Sequence, residues 1–309
     1  MTTFDLSRLL PAPSDSTQHV ALAVDGDWLN MPAAILSESG VILLREPPDA
    51  DTDALTVSLC TGQYPKPFVI DDGVVRKLHF SLAYVQSAMA IDNPYALNIA
   101  YTRKMMAFLM FLPRPKHVLI IGLGGGSLTK FCYRELPRAR ITTVEIDADV
   151  IAFGALFGVP APDERLSLVH ADATDYLATS ADRADVILLD GFDKIGIVPT
   201  FRDAQFYQNL RARLRPGGML VMNVAGSEEM RRAHLGLIAD TFMDNLIVQE
   251  VGNEGNRVAF AFNDPEFAPD WDRIKRAAKP LAQRYGLDFP AFAHKLRRSY
   301  HRQTHRRGR

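Results

Sequence analysis

A chain of 309 residues is long enough for one large domain and a smaller partner, and its hydrophobic share of 47% is ordinary for a globular protein. The formal net charge of −1 gives no overall attraction to nucleic acid or to membranes, and no run approaches the roughly 20 apolar residues of a membrane span. The two cysteines, Cys60 and Cys132, have no metal or redox spacing, and the first 16 residues do not resemble a signal peptide. We therefore expect a metal-free cytoplasmic protein that has no membrane partner.

The first 80 residues are predicted to form a small β domain. Short apolar runs separated by turn residues predict strands at 20–24, 40–44 and 54–59. Residues 68–70 and 74–78 flank Asp71-Asp72-Gly73, and this pattern predicts a β-hairpin because Asp-Gly suits the positive φ angles of a tight turn.

Two helices are predicted next, at 81–89 and 96–112. The second carries Tyr101 together with methionines and other aromatic residues, a composition more typical of core packing than of a ligand site. Pro113 and Pro115 end this helix.

A strand, a glycine turn and a helix then follow one another at 117–121, 122–127 and 128–136. Such a corner predicts nucleotide-type binding, since the helix N-terminus offers free N–H groups. The glycines fit Gly-x-Gly-x-Gly through Gly122, Gly124 and Gly126, which is typical of S-adenosylmethionine-dependent transferases. A dinucleotide fingerprint would need a third Gly or Ala where Ser127 stands, so NAD is the less favoured alternative.

Strands and helices alternate after this corner, which implies a doubly wound parallel sheet. Predicted strands lie at 141–144, 166–170, 185–189 and 219–223, and a helix lies at 204–214. Two further strands, 246–251 and 257–262, are joined by a loop short enough for a hairpin. The fold class predicted is therefore α/β, a Rossmann-like S-adenosylmethionine-dependent methyltransferase fold whose mostly parallel sheet ends in an antiparallel hairpin.

The predicted domains are the β domain at 1–80, the methyltransferase-like domain at 81–265 and a helical basic tail at 266–309. The tail closes with seven Lys and Arg residues and no acid from Lys295 onward. We interpret this end as solvated, and expect no nucleic-acid partner, because no aromatic stacking platform accompanies it.

Successive strands each deliver an acid to the carboxyl edge of the sheet, where ligands of open α/β folds bind. These acids are Glu145, Asp172, Asp190 and Asp193. Any one of them could be a helix N-cap or a solvated loop residue, but four at equivalent positions favour a function. Glu145 is expected to accept hydrogen bonds from ribose hydroxyls, and Asp172 from the adenine amine. Asp190 and Asp193 would lie near the reactive end of the cofactor, where they would attract a cationic amine.

These motifs resemble the catalytic domain of the spermidine synthase (polyamine aminopropyltransferase) family. The resemblance rests on the glycine turn, Val144-Glu145-Ile146-Asp147, Ala171-Asp172-Ala173, Asp190-Gly191-Phe192-Asp193, Phe206-Tyr207 and Pro216-Gly217-Gly218. It implies a homodimer that uses decarboxylated S-adenosylmethionine as co-substrate and a small-molecule amine such as putrescine as acceptor.

The resemblance also implies roles for individual residues. Asp190 would be the catalytic base, and Asp193, Tyr101 and Tyr207 would bind the amine. The cofactor would be held by Gly122, Gly124, Gly126, Glu145, Asp172 and Ala173.

Three positions depart from the family pattern. Gly125 stands where the family's Gly-Gly-Gly-Asp-Gly-Gly loop has its aspartate, Arg103 replaces a glutamate, and Lys194 replaces a proline. Two alternatives therefore remain beside the aminopropyltransferase. One is a methyltransferase-like enzyme that uses ordinary S-adenosylmethionine or another acceptor, and the other is a nucleoside-binding relative without catalysis.

Overall fold

The computed structural model describes residues 28–82, 84–191, 199–252 and 255–307. The predicted strand at 20–24 lies outside these residues. The N-terminal part is a five-stranded antiparallel sheet in the order β1-β2-β3-β4-β5. Its strands are β1 (Leu29–Pro32), β2 (Val41–Leu44), β3 (Phe68–Asp71), β4 (Val75–Ser81) and β5 (Tyr84–Ala90). The predicted hairpin is confirmed as β3–β4, with Gly73 at a φ of 83° in its turn.

Two predictions for this part were wrong. Residues 54–59 lie in a helix, α1 (Thr52–Cys60), rather than a strand. The Asp51 side chain caps this helix by accepting hydrogen bonds from the backbone N–H groups of Asp53 and Ala54, and this cap outweighs the strand preference of the β-branched residues.

The helix predicted at 81–89 is instead β5, an edge strand that pairs with β4 from Val75↔Ala90 onward. The cross-strand ladder decides this conformation, although register shifts beyond Leu78 interrupt it. The sheet therefore continues ten residues past the boundary predicted at residue 80.

A seven-stranded sheet forms the second part, in the order β11-β12-β10-β9-β6-β7-β8. Its strands are β6 (His117–Ile121), β7 (Arg140–Glu145), β8 (Leu166–His170), β9 (Ala184–Leu189), β10 (Leu214–Val224), β11 (Leu246–Glu250) and β12 (Arg257–Phe262). The pairs among β6 to β10 are parallel, whereas β12 runs antiparallel to both β10 and β11. The predicted parallel sheet with an antiparallel terminal hairpin is confirmed.

Helices cover both faces of this sheet. They are α2 (Ala100–Met105), which continues into a 3₁₀ helix at Met106–Met110, α3 (Ser127–Glu135), α4 (Ala148–Phe153), α5 (Ala173–Thr179), α6 (Ala204–Ala212), α7 (Glu228–Thr241), α8 (Trp271–Tyr285) and α9 (Phe289–Arg307). The last two confirm the predicted helical tail, but they are anchored in the core through Ile274, Phe289 and Leu296, which are fully buried. Basic side chains of α9, among them Lys295, Arg297 and Arg298, face solvent, whereas apolar residues of the same helix pack inward. No helix among the described residues is long and apolar enough to cross a membrane.

Buried cations fasten the five-stranded sheet to the larger part. Arg76 of β4 is fully buried, pairs with Asp71 at 2.7 Å and donates to the carbonyl oxygen of Leu156 beyond α4. Lys130 of α3 donates to the carbonyl oxygens of Pro94 and Phe157. Since buried charges need such partners, these contacts hold β4 and the segment after β5 against the larger part of the molecule.

Candidate active site

A cleft that is open to solvent lies at the carboxyl ends of β6, β7, β8 and β9. The parallel strands deliver the glycine turn, Glu145, Asp172 and Asp190 to this edge, and β5 closes the cleft from the other side. Most sequence-predicted residues are thus brought together, as the topology of an open α/β sheet requires.

The glycine turn brings its backbone against β9. Gly122 has a φ of 95°, and a Cβ atom there would lie 2.2 Å from the carbonyl oxygen of Asp190. Gly122 and Gly124 line the cleft. Gly126 lies behind them, where a Cβ would come within 2.3 Å of Val159. Among the three predicted glycines, Gly126 therefore shapes the turn instead of lining the cleft.

The carboxylate of Glu145 is held by backbone donors. Its Oε2 accepts a hydrogen bond from the N–H of Leu123 at 2.8 Å, and its Oε1 accepts from Ile146 and Asp147 at 2.9 and 3.0 Å. Burial raises the pKa of this carboxyl group, and the backbone N–H groups oppose that rise. A carboxylate has about four acceptor positions, so one remains on Oε2 for a ligand hydroxyl.

Asp172 serves as a helix cap and as part of the cleft wall. Its Oδ1 caps α5 by accepting from the N–H of Thr174 at 2.6 Å, and the residue lines the cleft together with Ala173. Its second oxygen has no protein hydrogen bond among the described residues. Ile146, 58% exposed, lines the same region and offers an apolar surface to a planar base.

Asp190 follows β9 and is held by two side chains. Its Oδ2 accepts a hydrogen bond from the Tyr101 hydroxyl at 2.9 Å, and its Oδ1 accepts from Asn223 Nδ2 at 3.0 Å. Burial raises the pKa of the Asp190 carboxyl group to about 6, although both hydrogen bonds act to lower it. This carboxylate therefore has a pKa near neutrality, as suits a general base.

Asn223 was missed by the sequence reasoning. It lies near the end of β10, is 2% exposed, and its Oδ1 has no hydrogen-bond partner among the described residues. A polar residue that ends a run of buried apolar residues was the signal that could have identified it.

The structure does not bring Tyr207 to the cleft, contrary to its predicted contact with substrate. It is fully buried on α6, between Phe206 and Leu210 in the core, and its hydroxyl lies 2.9 Å from His234 Nδ1. The amphipathic face of α6 packs this ring against the sheet because the aromatic surface gains more from burial than from exposure. Asp193, the fourth predicted acid, lies outside the described residues.

The departures from the family pattern occupy different places. Arg103 donates to the carbonyl oxygens of Leu97 and Asn98 at 2.6 and 2.7 Å and is not among the residues that line the cleft. Gly125 lines the cleft and contacts β5. Lys194 lies outside the described residues.

The described lining contains three carboxylates and no Lys or Arg side chain. A low-dielectric cleft lined by one sign of charge attracts ligands of the opposite sign. In the part of the chain that the structure describes, no group of three His, Cys, Asp or Glu side chains is arranged to hold a metal ion. The three carboxylates of the cleft thus suit a cationic ligand.

The sequence and the fold of this chain were compared with those of known proteins. The sequence profile of the spermine/spermidine synthase domain matches residues 98–240. A polyamine aminopropyltransferase of Chromobacterium violaceum is 32% identical over 236 residues, which cover 76% of this chain and 90% of that protein. An eEF1A lysine and N-terminal methyltransferase of Xenopus laevis is 29% identical over 212 residues, which cover 63% of this chain and 30% of that protein. The crystal structure of a spermidine synthase in complex with the transition-state analogue AdoDATO shares the fold, with a TM-score of 0.55 at 18% identity over 73% of this chain and 87% of that chain.

Proposed function

The chain belongs to the spermidine synthase family and is a transferase, and we propose that it moves an aminopropyl group from decarboxylated S-adenosylmethionine to putrescine or a similar amine. The observation that carries this proposal is the Asp190 carboxylate, held by Tyr101 and Asn223 at the edge of a cleft lined with acids. Methylthioadenosine is the second product that this reaction releases.

The adenosine part of the donor is proposed to lie along the glycine turn. The free acceptor position on Glu145 Oε2 would bind a ribose hydroxyl. The second oxygen of Asp172 would accept the adenine amine, and Ile146 would pack against the ring. Gly122, Gly124 and Ala173 leave room for close approach because they carry small side chains or none.

The acceptor amine arrives as an ammonium ion and must lose a proton before it can attack carbon. Asp190 takes this proton on its carboxylate, and Tyr101 and Asn223 hold the two oxygens in place. The neutral amine nitrogen then forms a bond to the carbon of the aminopropyl group that is attached to sulfur. The carbon–sulfur bond breaks, and its electron pair stays on sulfur, which becomes the neutral thioether of methylthioadenosine.

A second carboxylate near the base would help to hold a diamine. We propose this role for Asp193, three residues after Asp190 in the sequence. From the family resemblance, we also propose that the protein is a homodimer and that it works in the cytoplasm. Sedimentation of the full chain tests the homodimer.

Two observations favour a second candidate function. Gly125 presents no side chain to the cleft, and a relative 29% identical to this chain is a methyltransferase. A methyl group transferred from ordinary S-adenosylmethionine would use the same adenosine site and the same base. A nucleoside-binding protein without catalysis would also use that adenosine site, but it would not need Asp190.

The experiment follows methylthioadenosine release with decarboxylated S-adenosylmethionine, with and without putrescine. We expect putrescine-dependent release that falls by about 10²–10⁴-fold in Asp190→Asn, the range that a general base contributes. Asp175→Asn makes the same chemical change on an exposed residue outside the described cleft lining and should retain activity. Equal rates in the wild type and Asp190→Asn would show that the base is assigned to the wrong residue.

A further inference from the structure

Phe201 forms the wall of the cleft beside the proposed base. It belongs to a 3₁₀ helix at Pro199–Arg202, is 3% exposed and lines the cleft together with Asp190 and Gly191. A Cβ atom on Gly191, the residue after Asp190, would lie 2.7 Å from Phe201 Cε2. The aromatic ring therefore fills the space against the backbone that carries the base.

Two aromatic rings of α6 support Phe201 from behind. Phe201 stacks on Phe206 with the ring centroids 4.5 Å apart, and Phe206 packs edge to face against Tyr207 with a centroid distance of 5.6 Å. All three rings are buried in one apolar cluster. Since a close-packed interior has few voids to absorb a displacement, the position of Tyr207 affects that of Phe201.

A buried hydrogen bond fixes Tyr207. Its hydroxyl lies 2.9 Å from Nδ1 of the buried His234 on α7, and 3.6 Å from Met222 Sδ on β10. Burial lowers the pKa of His234, Arg202 acts in the same direction, and the backbone of Phe201 opposes both. The neutral imidazole can therefore accept a hydrogen bond from the Tyr207 hydroxyl. This bond joins α6 to α7, and both helices contact the 3₁₀ helix that carries Phe201.

Building on the function proposed above, we propose that Tyr207 and His234 are positioning residues for the catalytic base. They hold Phe201 against Gly191, and Phe201 keeps water away from one side of Asp190. Neither Tyr207 nor His234 is among the residues that line the cleft, so both act through the rings that lie between them and the base. Tyr207 thus serves the reaction without the substrate contact that the sequence predicted.

This arrangement fixes the direction in which the acidity of the base should change. Burial raises the pKa of Asp190 to about 6, although hydrogen bonds from Tyr101 of α2 and Asn223 of β10 act to lower it. The other two carboxylates of the described cleft lining, Glu145 and Asp172, keep their places. A loosened aromatic wall would admit water and leave both hydrogen bonds intact, so the pKa of Asp190 would fall.

The test compares the rate at limiting putrescine at pH 5 and at pH 8, using the full chain. A pKa of about 6 leaves the wild-type base about tenfold less ionised at pH 5 than at pH 8. Tyr207→Phe removes the hydroxyl and should narrow this ratio to about threefold or less, and Phe201→Leu should do the same by removing the ring. Tyr133→Phe is the matched control, because it removes a hydroxyl that donates to Asp163 at 2.7 Å outside the described cleft lining.

Further variants test whether Tyr207 acts through its two neighbours. The double variant Tyr207→Phe, Phe201→Leu should show the ratio of Phe201→Leu alone, within about twofold, because the ring that Tyr207 positions is gone. His234→Asn keeps an acceptor for the Tyr207 hydroxyl and should stay closer to the wild-type ratio than His234→Leu. The affinity of Tyr207→Phe for methylthioadenosine, measured by calorimetry, should stay within about threefold of the wild-type value, since the adenosine site is untouched.

The outcomes separate the positioning role from the proposed function. A ratio in Tyr207→Phe that is unchanged or wider overturns the positioning role and leaves the function standing, as does an equal effect of Tyr133→Phe. A wild type without putrescine-dependent release of methylthioadenosine removes the proposed function. In that case urea unfolding against pH, with and without Asp190→Asn, still reports the pKa of Asp190 in the wild-type and Tyr207→Phe backgrounds. A lower pKa in Tyr207→Phe then supports the positioning role, and equal values overturn it.

Discussion

The Asp190→Asn substitution should make the folded protein more stable at neutral pH. Burial raises the Asp190 pKa from 3.8 to about 6, so folding disfavours the charged form. A shift of about two units corresponds to about 3 kcal/mol at 1.36 kcal/mol per unit. The penalty is absent below pH 3.8, grows between the two pKa values, and is fully present above pH 6. Asparagine carries no charge at any of these pH values.

Urea unfolding of both proteins from pH 4 to pH 8 measures this difference. We expect Asp190→Asn to exceed the wild type by up to about 3 kcal/mol at pH 8 and the gap to close as the pH falls towards 4. The Tyr101 hydroxyl can still donate to the new amide oxygen, and the unpartnered Oδ1 of Asn223 can accept from the new amide nitrogen. A difference that does not change with pH would contradict the account of a buried, charged Asp190.

Three further outcomes follow from the same contacts. Glu145→Gln should weaken methylthioadenosine binding by about 1.5–3 kcal/mol, as measured by calorimetry, because hydrogen bonds to a charged group are lost; unchanged affinity would show that Glu145 does not hold the ribose. The rate at limiting acceptor should rise as the pH increases through about 6, since Asp190 acts when it is deprotonated, and a rate independent of pH from 5 to 7 would contradict this role. The Tyr101 hydrogen bond lowers the Asp190 pKa, so Tyr101→Phe should move this limb of the pH–rate profile to higher pH; a shift to lower pH would be inconsistent with the observed contact.

The central sheet could be predicted from the sequence because its strands are buried on both faces. His117–Ile121 is buried at all five positions, and such a run leaves little alternative to a parallel strand. The two errors in the N-terminal part fall on α1 and β5, which are short and partly exposed. Val57 favours a strand because it is β-branched, but it lies on α1 with 63% of its surface exposed, so no packing in a sheet reinforces that preference. The strand β5 lies at the edge of its sheet, and its pairing with β4 is interrupted.

The acids of the site could be predicted because their positions follow from topology. Glu145 ends a parallel strand, Asp172 and Asp190 come just after one, and parallel strands end at one edge of the sheet. Contacts between distant segments could not be predicted in this way. The approach of Ser87 to Gly125 and the bond from Asn223 to Asp190 depend on how two sheets and two strands meet in space, and no spacing in the sequence records that.

The identity and stoichiometry of the products test the proposed transfer most directly. Mass spectrometry of a reaction containing the full chain, decarboxylated S-adenosylmethionine and putrescine should find one molecule of methylthioadenosine for each molecule of aminopropylated putrescine. Asp190→Asn should form both products more slowly by the same factor, and Asp175→Asn should form them at the wild-type rate. A putrescine that stays unmodified in the wild-type reaction would contradict aminopropyl transfer to this amine.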